Sequence, residues 1–369
     1  MRAGTLFAPS ARRATLFSAS VNAGPLKKLF FIAITVVLSL ATLWAAAALY
    51  FDFPVPALRI PAAIVYLLAV AAVYFLLPPE WPSVLASLAV FAVVFLWWRG
   101  IKPSNDRIWQ ADVAQTAWAE LDGDSVTIHN YRQCDYRSEF DYTCSWTDKH
   151  IRLSEIRGID IFIVYWGSNW IAHPIASFQI SDHDHVAFSI ETRKEEHERY
   201  AAIRGFFRSY ELIYTVAPES DLVRLRTNFR KGAHRQGEDV YLYRTTAGPD
   251  WSRLLFLAYI YRISELHEHA EWYNAVTSNC TTNIFTERAA ADNFVRVPTT
   301  PLKKLLTKFD WRILLNGKGD KMEYQRGDMV TGGLSFEDLR TQAYINPVAR
   351  ETQEPEGYSE RIRVGRVGF

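Results

Sequence analysis

The sequence has no excess of charge of either sign. Its 41 Lys and Arg side chains oppose 40 Asp and Glu, which gives a formal net charge of +1 over 369 residues. This balance excludes a strongly basic nucleic-acid-binding protein and an acidic disordered tail. The sequence also contains no nucleotide-binding loop, no internal repeat and no low-complexity run. We therefore expect no cofactor and no nucleic-acid partner.

Charge is entirely missing from three long apolar segments near the N-terminus. Leu29–Phe51, Ile60–Leu77 and Ser83–Trp98 contain 23, 18 and 16 residues without a charged side chain. Three prolines between positions 78 and 82 separate the last two segments, because proline cannot continue a helix. About 20 apolar residues span a bilayer as a helix, so the pattern predicts three membrane crossings, the third being the shortest.

The distribution of cations predicts the orientation of these crossings. All five charged residues among the first 28 are cations, and the loop at 52–59 has one charge of each sign. The positive-inside rule then places the N-terminus in the cytoplasm and, after three crossings, the rest of the chain in the periplasm of a bacterial inner-membrane protein. The predicted organisation is a cytoplasmic basic tail at 1–28, transmembrane helices at 29–51, 60–77 and 83–98 within 29–98, and a periplasmic domain at 99–369.

Cysteine is scarce, with only Cys134, Cys144 and Cys280 in the chain. Cys134 and Cys144 lie ten positions apart in a polar, aromatic stretch, so they are candidates for a disulfide in an oxidising compartment. Cys280 is then left over, and an unpaired thiol outside the cytosol requires an explanation.

The outer domain mixes strand-like and helix-like segments, which predicts an α+β fold. Strands are predicted at Ser125–Asn130, Gly158–Trp166, His173–Ile180, His185–Thr192, Tyr210–Val216 and Asp239–Tyr243. Helices are predicted at Lys194–Arg208, Asp250–Ala270, with Asp250 as its N-cap, and Asn279–Ala291. The run from Asn316 to Asp320 has the composition of a hairpin turn and is expected to lead into irregular chain.

Cys280 is the candidate nucleophile. Ser278 is a suitable N-cap, which places Cys280 in the first turn of the following helix. There the unpaired N–H groups and the helix dipole would stabilise a thiolate and could also bind the oxyanion of an acyl-transfer intermediate. A buried, inert cysteine is the alternative interpretation.

A thiol nucleophile needs a base, and His173 is the candidate. His173 and His185 each begin a predicted strand, and folding this hairpin places His173 opposite or diagonal to 191–193. Glu191 could then orient the imidazole and fix its tautomer. The hypothetical triad is therefore Cys280, His173 and Glu191, whereas His183 and His185 are expected to be solvated surface residues.

Two further clusters of polar residues have weaker functional interpretations. A metal site at His183–His185 or His267–His269 is disfavoured. The second cluster lacks the His-Glu-x-x-His spacing that places two ligands on one helical face, and it lies at the end of a long predicted helix, where a solvated polar terminus is the ordinary interpretation. A basic stretch could meet anionic lipid headgroups, although a solvated face is the ordinary interpretation. That stretch comprises Arg224, Arg226, Arg230, Lys231 and Arg235.

Several motifs in order between Asp106 and Ala291 resemble the Lnb N-terminal periplasmic domain family. The resemblance implies a permuted papain-like fold, similar to the NlpC and lecithin:retinol acyltransferase enzymes, in which the His strand precedes the Cys helix. The motifs are NYRQCDYRSEFDYTCSW (130–146), GIDIFIVYW (158–166), IAHPIASF (171–178), FSIETRK (188–194), YELIY (210–214), LRTN (225–228) and YNAVTSNCTT (273–282).

The resemblance also implies a reaction. Characterised members resemble lipoprotein N-acyltransferases, so Cys280 would attack a membrane phospholipid ester and pass the acyl chain to the N-terminal amine of a lipoprotein. By this resemblance Cys280 is the nucleophile and His173 the base, while the orienting role of Glu191 comes from the hairpin. The alternatives are a cysteine amidase or peptidase acting on cell-wall peptide and a non-catalytic envelope module.

Overall fold

The computed structural model describes residues 24–78, 80–230, 238–294, 316–352 and 354–369. The chain divides into two compact units, Met1–Trp98 and Arg99–Phe369. Most of the predicted basic tail at 1–28 lies outside the described residues.

The N-terminal unit contains the three predicted apolar segments as helices. They are α1 (Pro25–Asp52), α2 (Arg59–Leu76) and α3 (Trp81–Gly100). All three are long and apolar enough to cross a membrane. Helix α3 has 20 residues, four more than its charge-free run. Trp81 and Pro82 extend it at its first turn, where proline is tolerated, and Arg99 and Gly100 extend it at its end.

The outer unit is an α+β structure built on two antiparallel sheets. One sheet has the order β1-β2-β3 and the other the order β7-β6-β5-β4-β8. The strands are β1 (Trp118–Asp122), β2 (Ser125–Tyr136), β3 (Tyr142–Arg152), β4 (Gly158–Tyr165), β5 (Ala172–Gln179), β6 (His185–Arg193), β7 (Glu211–Ala217) and β8 (Asp239–Arg244). All six predicted strands are present, but β1 and β3 were missed because they are largely exposed and polar.

Helices cover both faces of the five-stranded sheet. One face packs on α5 (Pro249–Glu268) and α6 (Cys280–Phe294) through a cluster of aromatic rings. In this cluster the Phe178 and Phe256 ring centroids lie 5.1 Å apart. The other face packs on short helices, namely α4 (Glu219–Arg224), α9 (Asn346–Glu351) and α10 (Tyr358–Arg361).

Three local predictions were wrong. The segment Lys194–Arg208 is not a helix: it pairs with the chain near Trp109 and contains only a 3-10 turn, Ala202–Phe206. Pairing with a segment distant in sequence therefore overrides its helix-forming composition. Helix α5 is preceded by Gly248 and begins at Pro249, so Asp250 is not its N-cap.

The third wrong prediction concerns the C-terminal region. The run Asn316–Lys318 is a 3-10 turn that leads into helix α7 (Gly319–Arg326), and α8 (Phe336–Ala343) follows. Gly317 donates its N–H to the Trp170 carbonyl, 3.0 Å away, and a Cβ at this position would lie 2.4 Å from the Asn169 oxygen. Close packing against the β4–β5 loop therefore replaces the expected hairpin.

Cys134 and Cys144 form a disulfide. They are directly opposed in the β2–β3 ladder, which is why residues ten positions apart meet. Cys134 packs with Leu225, and Phe229 lies against the same cluster, so the cross-link also supports the π-helical turn Leu225–Phe229. A disulfide is consistent with an oxidising compartment.

Replacing both half-cystines by serine should lower the free energy of unfolding by about 2–3 kcal/mol, since the cross-link closes a loop of roughly ten residues. Urea unfolding of the full chain in detergent, followed by tryptophan fluorescence, would measure this loss. A reductant should destabilise the wild type by a similar amount and leave the double variant unchanged. Equal sensitivity of both proteins to the reductant would contradict the assignment.

Candidate active site

His173 and Glu191 are brought together by the β5–β6 pairing. Ile175 opposes Ser189 in this ladder, so the same register continued by two residues sets His173 opposite Glu191. The His173 Nε2 atom lies 3.6 Å from Glu191 Oε1. Ser189 Oγ bridges the two groups: it lies 2.7 Å from Nε2 and donates to Oε1 at 2.6 Å.

The Glu191 carboxylate is held ionised by a buried arginine. Arg226 donates to Glu191 at 2.5 Å and to Glu238 at 3.1 Å, and only 3% of Arg226 is exposed. Burial alone would raise the pKa of Glu191, but Arg226, His173 and Arg230 together lower it well below its usual value. Glu191 is therefore a carboxylate that can only accept hydrogen bonds.

His173 is neutral in this environment. Burial and the Arg226 charge lower its pKa to about 3, against the opposing effect of Glu191. Because the hydroxyl proton of Ser189 points to the Glu191 carboxylate, Ser189 must accept a hydrogen bond from Nε2–H of His173. The neutral imidazole thus carries its proton on Nε2 and leaves Nδ1 as the basic nitrogen.

Cys280 is the first residue of α6, and its neighbour Asn279 caps the helix. The Asn279 Oδ1 atom accepts from the N–H groups of Thr281 and Thr282, both at 2.9 Å. Ser278 was predicted as the cap and is not: its hydroxyl accepts from the Asn283 amide at 3.3 Å. The prediction that Cys280 lies in the first turn is confirmed.

The expected stabilisation of a thiolate is not found. Cys280 is only 5% exposed, and burial raises its pKa to about 11 despite its position in the first turn. Its Sγ lies 3.9 Å from Thr281 Oγ1. Tyr200 and Tyr273 lie near enough that a thiolate at Cys280 would raise the pKa of each phenol. The resting group is therefore a thiol in apolar and aromatic surroundings.

Cys280 and His173 approach the same end of the sheet from opposite faces. Cys280 packs in the cluster of Phe188 and Ile190, whereas His173, Ser189 and Glu191 alternate onto the other face. Within the described ranges, no hydrogen bond joins Cys280 to His173. The electrostatic influence of Glu191 nevertheless reaches the Cys280 thiol and contributes to its raised pKa.

Comparison with known families gives a match within the outer unit. Residues 142–317 match the Lnb N-terminal periplasmic domain. The match confirms the resemblance and includes His173, Glu191 and Cys280. It fits a membrane protein with a periplasmic domain and suggests a membrane-associated role in lipoprotein processing. No curated protein and no solved structure matches the chain.

Sequence reasoning missed two residues of the site, both within the matched residues. Ser189 stands two positions before Glu191 on one strand, so the period of two already placed their side chains on one face. Arg226 lies in the LRTN motif, but its π-helical turn and its contact with Glu191 depend on chain segments distant in sequence.

His185 was expected at the surface and is buried instead, with only 3% exposure. Its ring lies in a cluster with Asp160 and Glu219, whose ligand atoms and those of His185 all fall within 4.8 Å of one another. Such a set could hold a metal ion, but Arg363 already contacts both carboxylates at 2.6 Å. These buried carboxylates are therefore neutralised by arginine, and a divalent cation would have to displace it.

The remaining polar candidates behave as surface or structural groups. The side chain of His183 is 81% exposed and contacts Glu360 at 2.8 Å, as expected for a solvated histidine. His267 and His269 are exposed as well. The basic stretch is not a lipid-facing surface in its described part, because Arg224 and Arg226 are buried. Arg230 is half-buried and pairs with Glu238 at 3.7 Å. Lys231 and Arg235 lie outside the described residues.

Removing the Arg226 charge should destabilise the domain in a pH-dependent way. An Arg226→Met variant leaves the Glu191 carboxylate, whose side chain is 21% exposed, without its cation. Breaking a fully buried ion pair costs about 3–5 kcal/mol, and the partial exposure of Glu191 should bring the loss below that range. The lowered pKa of Glu191 stabilises the wild type above the unfolded-state pKa, and this contribution is lost as the pH falls through the folded-state pKa. The difference between wild type and variant should therefore be largest near neutral pH and shrink on acidification.

Denaturant unfolding of the full chain at about pH 7 and about pH 3 would measure both differences, because the lower pH lies below the ordinary glutamate pKa, where the contribution of Glu191 is being lost. Arg226→Lys is the matched control, because it retains the positive charge and should recover much of the stability at neutral pH. A difference that is the same at both pH values would show that Arg226 acts by packing alone.

Proposed function

We propose that this protein is a membrane-anchored periplasmic acyltransferase that carries an acyl chain on Cys280. The donor would be a membrane phospholipid and the acceptor the N-terminal amine of a lipoprotein. The observation that carries the proposal is the His173–Ser189–Glu191 hydrogen-bonded chain at the same end of the sheet as the Cys280 helix terminus, within a domain of the Lnb family.

The chemistry follows from the hydrogen-bond directions. His173 Nδ1 accepts the thiol proton as Cys280 Sγ attacks the ester carbonyl, and Glu191 stabilises the resulting imidazolium through Ser189. Collapse of the tetrahedral intermediate breaks the ester bond, and His173 returns the proton to the leaving lysophospholipid oxygen. The acceptor amine then attacks the thioester, gives its proton to His173 and releases the amide, and the thiol is restored.

Fewer backbone N–H groups of the first turn of α6 are available to bind the oxyanion than the sequence predicted. The N–H groups of Thr281 and Thr282 already donate to Asn279, so they are occupied. Within the described part of the chain the Cys280 N–H enters no hydrogen bond. This group stands at the positive end of α6 and is the donor we assign to the oxyanion.

The mechanism requires Cys280 Sγ to come within hydrogen-bond reach of His173 Nδ1 when substrate binds. Because the two side chains approach the end of the sheet from opposite faces, we propose that substrate binding moves them towards each other around that end, where catalytic hydrogen bonds can form in the substrate complex. We propose that the domain has the permuted papain-like arrangement, supported by the order of the His173 strand β5 before the Cys280 helix α6.

The proposed setting is the bacterial inner membrane with a cytoplasmic N-terminus. It is supported by the cations before Leu29, where the first membrane-capable span begins, by the three membrane-capable helices and by the disulfide. Tethering the domain to the bilayer that contains both substrates replaces a diffusional search with proximity.

With water as the acceptor, the same residues would act as an amidase or peptidase, and the product distinguishes the two reactions.

Exposure of the detergent-purified protein to phospholipid should produce a fatty-acyl adduct on Cys280. Intact-mass analysis would detect it, and hydroxylamine should remove it because it is a thioester. Cys280→Ala removes the nucleophile and His173→Ala removes the base, so neither variant should form the adduct. Adduct formation in Cys280→Ala would sink the proposal, while release of peptide from purified cell wall without an acyl adduct would support the hydrolase.

The rate of thioester formation should change little between about pH 5 and pH 9. The His173 pKa lowered to about 3 and the Cys280 pKa raised to about 11 keep the imidazole and thiol neutral across this range. Stopped reactions analysed by mass spectrometry would give the profile. Glu191→Gln should lower the rate and leave the profile flat, since it removes only the charge that stabilises the imidazolium. An inflection near the ordinary histidine pKa would contradict the assigned neutral pair.

A further inference from the structure

An exposed apolar surface lies on two loops of the outer unit. Its members are Tyr200, Ile203, Phe206 and Val276, which are 49%, 58%, 48% and 44% exposed. The first three belong to the β6–β7 loop and Val276 to the segment between α5 and α6. We call these four side chains the apolar rim. Neighbouring exposed side chains of this kind are typical of an interaction surface.

The two loops are fixed to one another, so the apolar rim is a defined surface. The Ala275 N–H donates to the Gly205 carbonyl at 2.7 Å. Gly205 also lies so close to this segment that an added Cβ would stand 3.3 Å from Ala275 Cβ and from the Tyr273 ring. The β6–β7 loop thus keeps its position even though it is not a helix.

The apolar rim adjoins the candidate nucleophile. Tyr200 is both a member of the rim and one of the two tyrosines whose phenols lie close enough to respond to a Cys280 thiolate. The other, Tyr273, contacts Gly205 beneath the rim. A molecule that covers the rim is therefore next to the thiol.

The loops are also tied to the point where the chain leaves its last apolar helix. The Arg208 guanidinium donates to the carbonyl groups of Arg99, at 3.0 Å, and Ile101. The Trp272 indole donates to the same Ile101 carbonyl at 3.4 Å. Arg99 to Ile101 are the first residues of the outer unit, and the membrane-capable span ends at Gly100. Both loops are thereby held beside the first residues of the outer unit, which follow the third membrane-capable helix directly in the chain.

We propose that the apolar rim enters the bilayer surface and that its partner is membrane lipid. Exposed aromatic and aliphatic side chains beside a membrane exit lose their contact with water by entering the headgroup region, where tyrosine is favoured. The rim would then deliver acyl chains to Cys280 directly from the bilayer. In this respect it rests on the proposed acyl transfer, but the bilayer contact itself needs no catalysis.

The contact can be measured on the full chain by nitroxide accessibility. In a Cys280→Ala background, Ile203→Cys and Phe206→Cys variants would be spin-labelled and reconstituted into vesicles of phosphatidylethanolamine and phosphatidylglycerol. Collision rates with oxygen, which partitions into the bilayer, and with a water-soluble nickel complex report the depth of each label. Both rim labels should favour oxygen several-fold over nickel.

Val364→Cys is the matched control, because Val364 is apolar and 74% exposed but lies next to Arg363, which binds Asp160 at the opposite end of the sheet. Its label should favour nickel. Equal oxygen-to-nickel ratios at the rim and control labels would overturn the proposal.

A second measurement tests the role of the rim with Cys280 intact. An Ile203→Asp/Phe206→Asp variant should form the acyl adduct from vesicle phospholipid about tenfold more slowly, because charged side chains resist entry into the bilayer. Its rate with a water-soluble short-chain thioester should equal that of the wild type. Equal slowing with both donors would overturn lipid delivery by the rim, whereas absence of any adduct in the wild type would count against the acyl transfer and leave the accessibility result standing.

Discussion

The contact between the buried Arg226 and the partly exposed Glu191 is the interaction on which the candidate site depends. Without the cation, desolvation would favour a protonated Glu191, and the hydroxyl of Ser189 would lose its ionised acceptor. The proton position on His173 would then no longer be fixed. The Arg226 guanidinium thus keeps Glu191 ionised. The Glu191 carboxylate then fixes the direction of the Ser189 hydroxyl, and that hydroxyl fixes the tautomer of His173.

On one face of the five-stranded sheet, two arginines each neutralise a pair of carboxylates. At one end Arg226 neutralises Glu191 and Glu238, and at the other Arg363 neutralises Asp160 and Glu219. Both groups lie where short helices from distant parts of the chain cover the sheet, because a buried carboxylate requires a partner that local sequence does not provide. Of these two groups, only the first lies at the end of the sheet that also holds Cys280, where Glu191 influences the thiol.

A neutral thiol and a neutral imidazole suit an enzyme that works on lipid. An ion pair preformed at Cys280 would be hydrated and would resist burial under an acyl chain, whereas a buried thiol is compatible with an apolar substrate. Charge would then develop only when the ester arrives and Cys280 and His173 come into contact. The apolar rim beside the thiol is likewise suited to an acyl chain, and the membrane-capable helices are suited to the bilayer that would contain it.

The sequence by itself determined the three membrane-capable helices, the strands that carry His173 and Glu191 and the first-turn position of Cys280. These features depend on short-range patterns: uninterrupted apolar runs, a period of two and residues typical of helix starts. Tertiary structure alone decided that Lys194–Arg208 is a loop, that Arg226 meets Glu191 and that His185 is buried. It also decided the pKa of Cys280: burial by residues far away in the sequence raises this pKa more than the positive end of the helix could lower it. Such contacts and desolvation have no signature in local sequence.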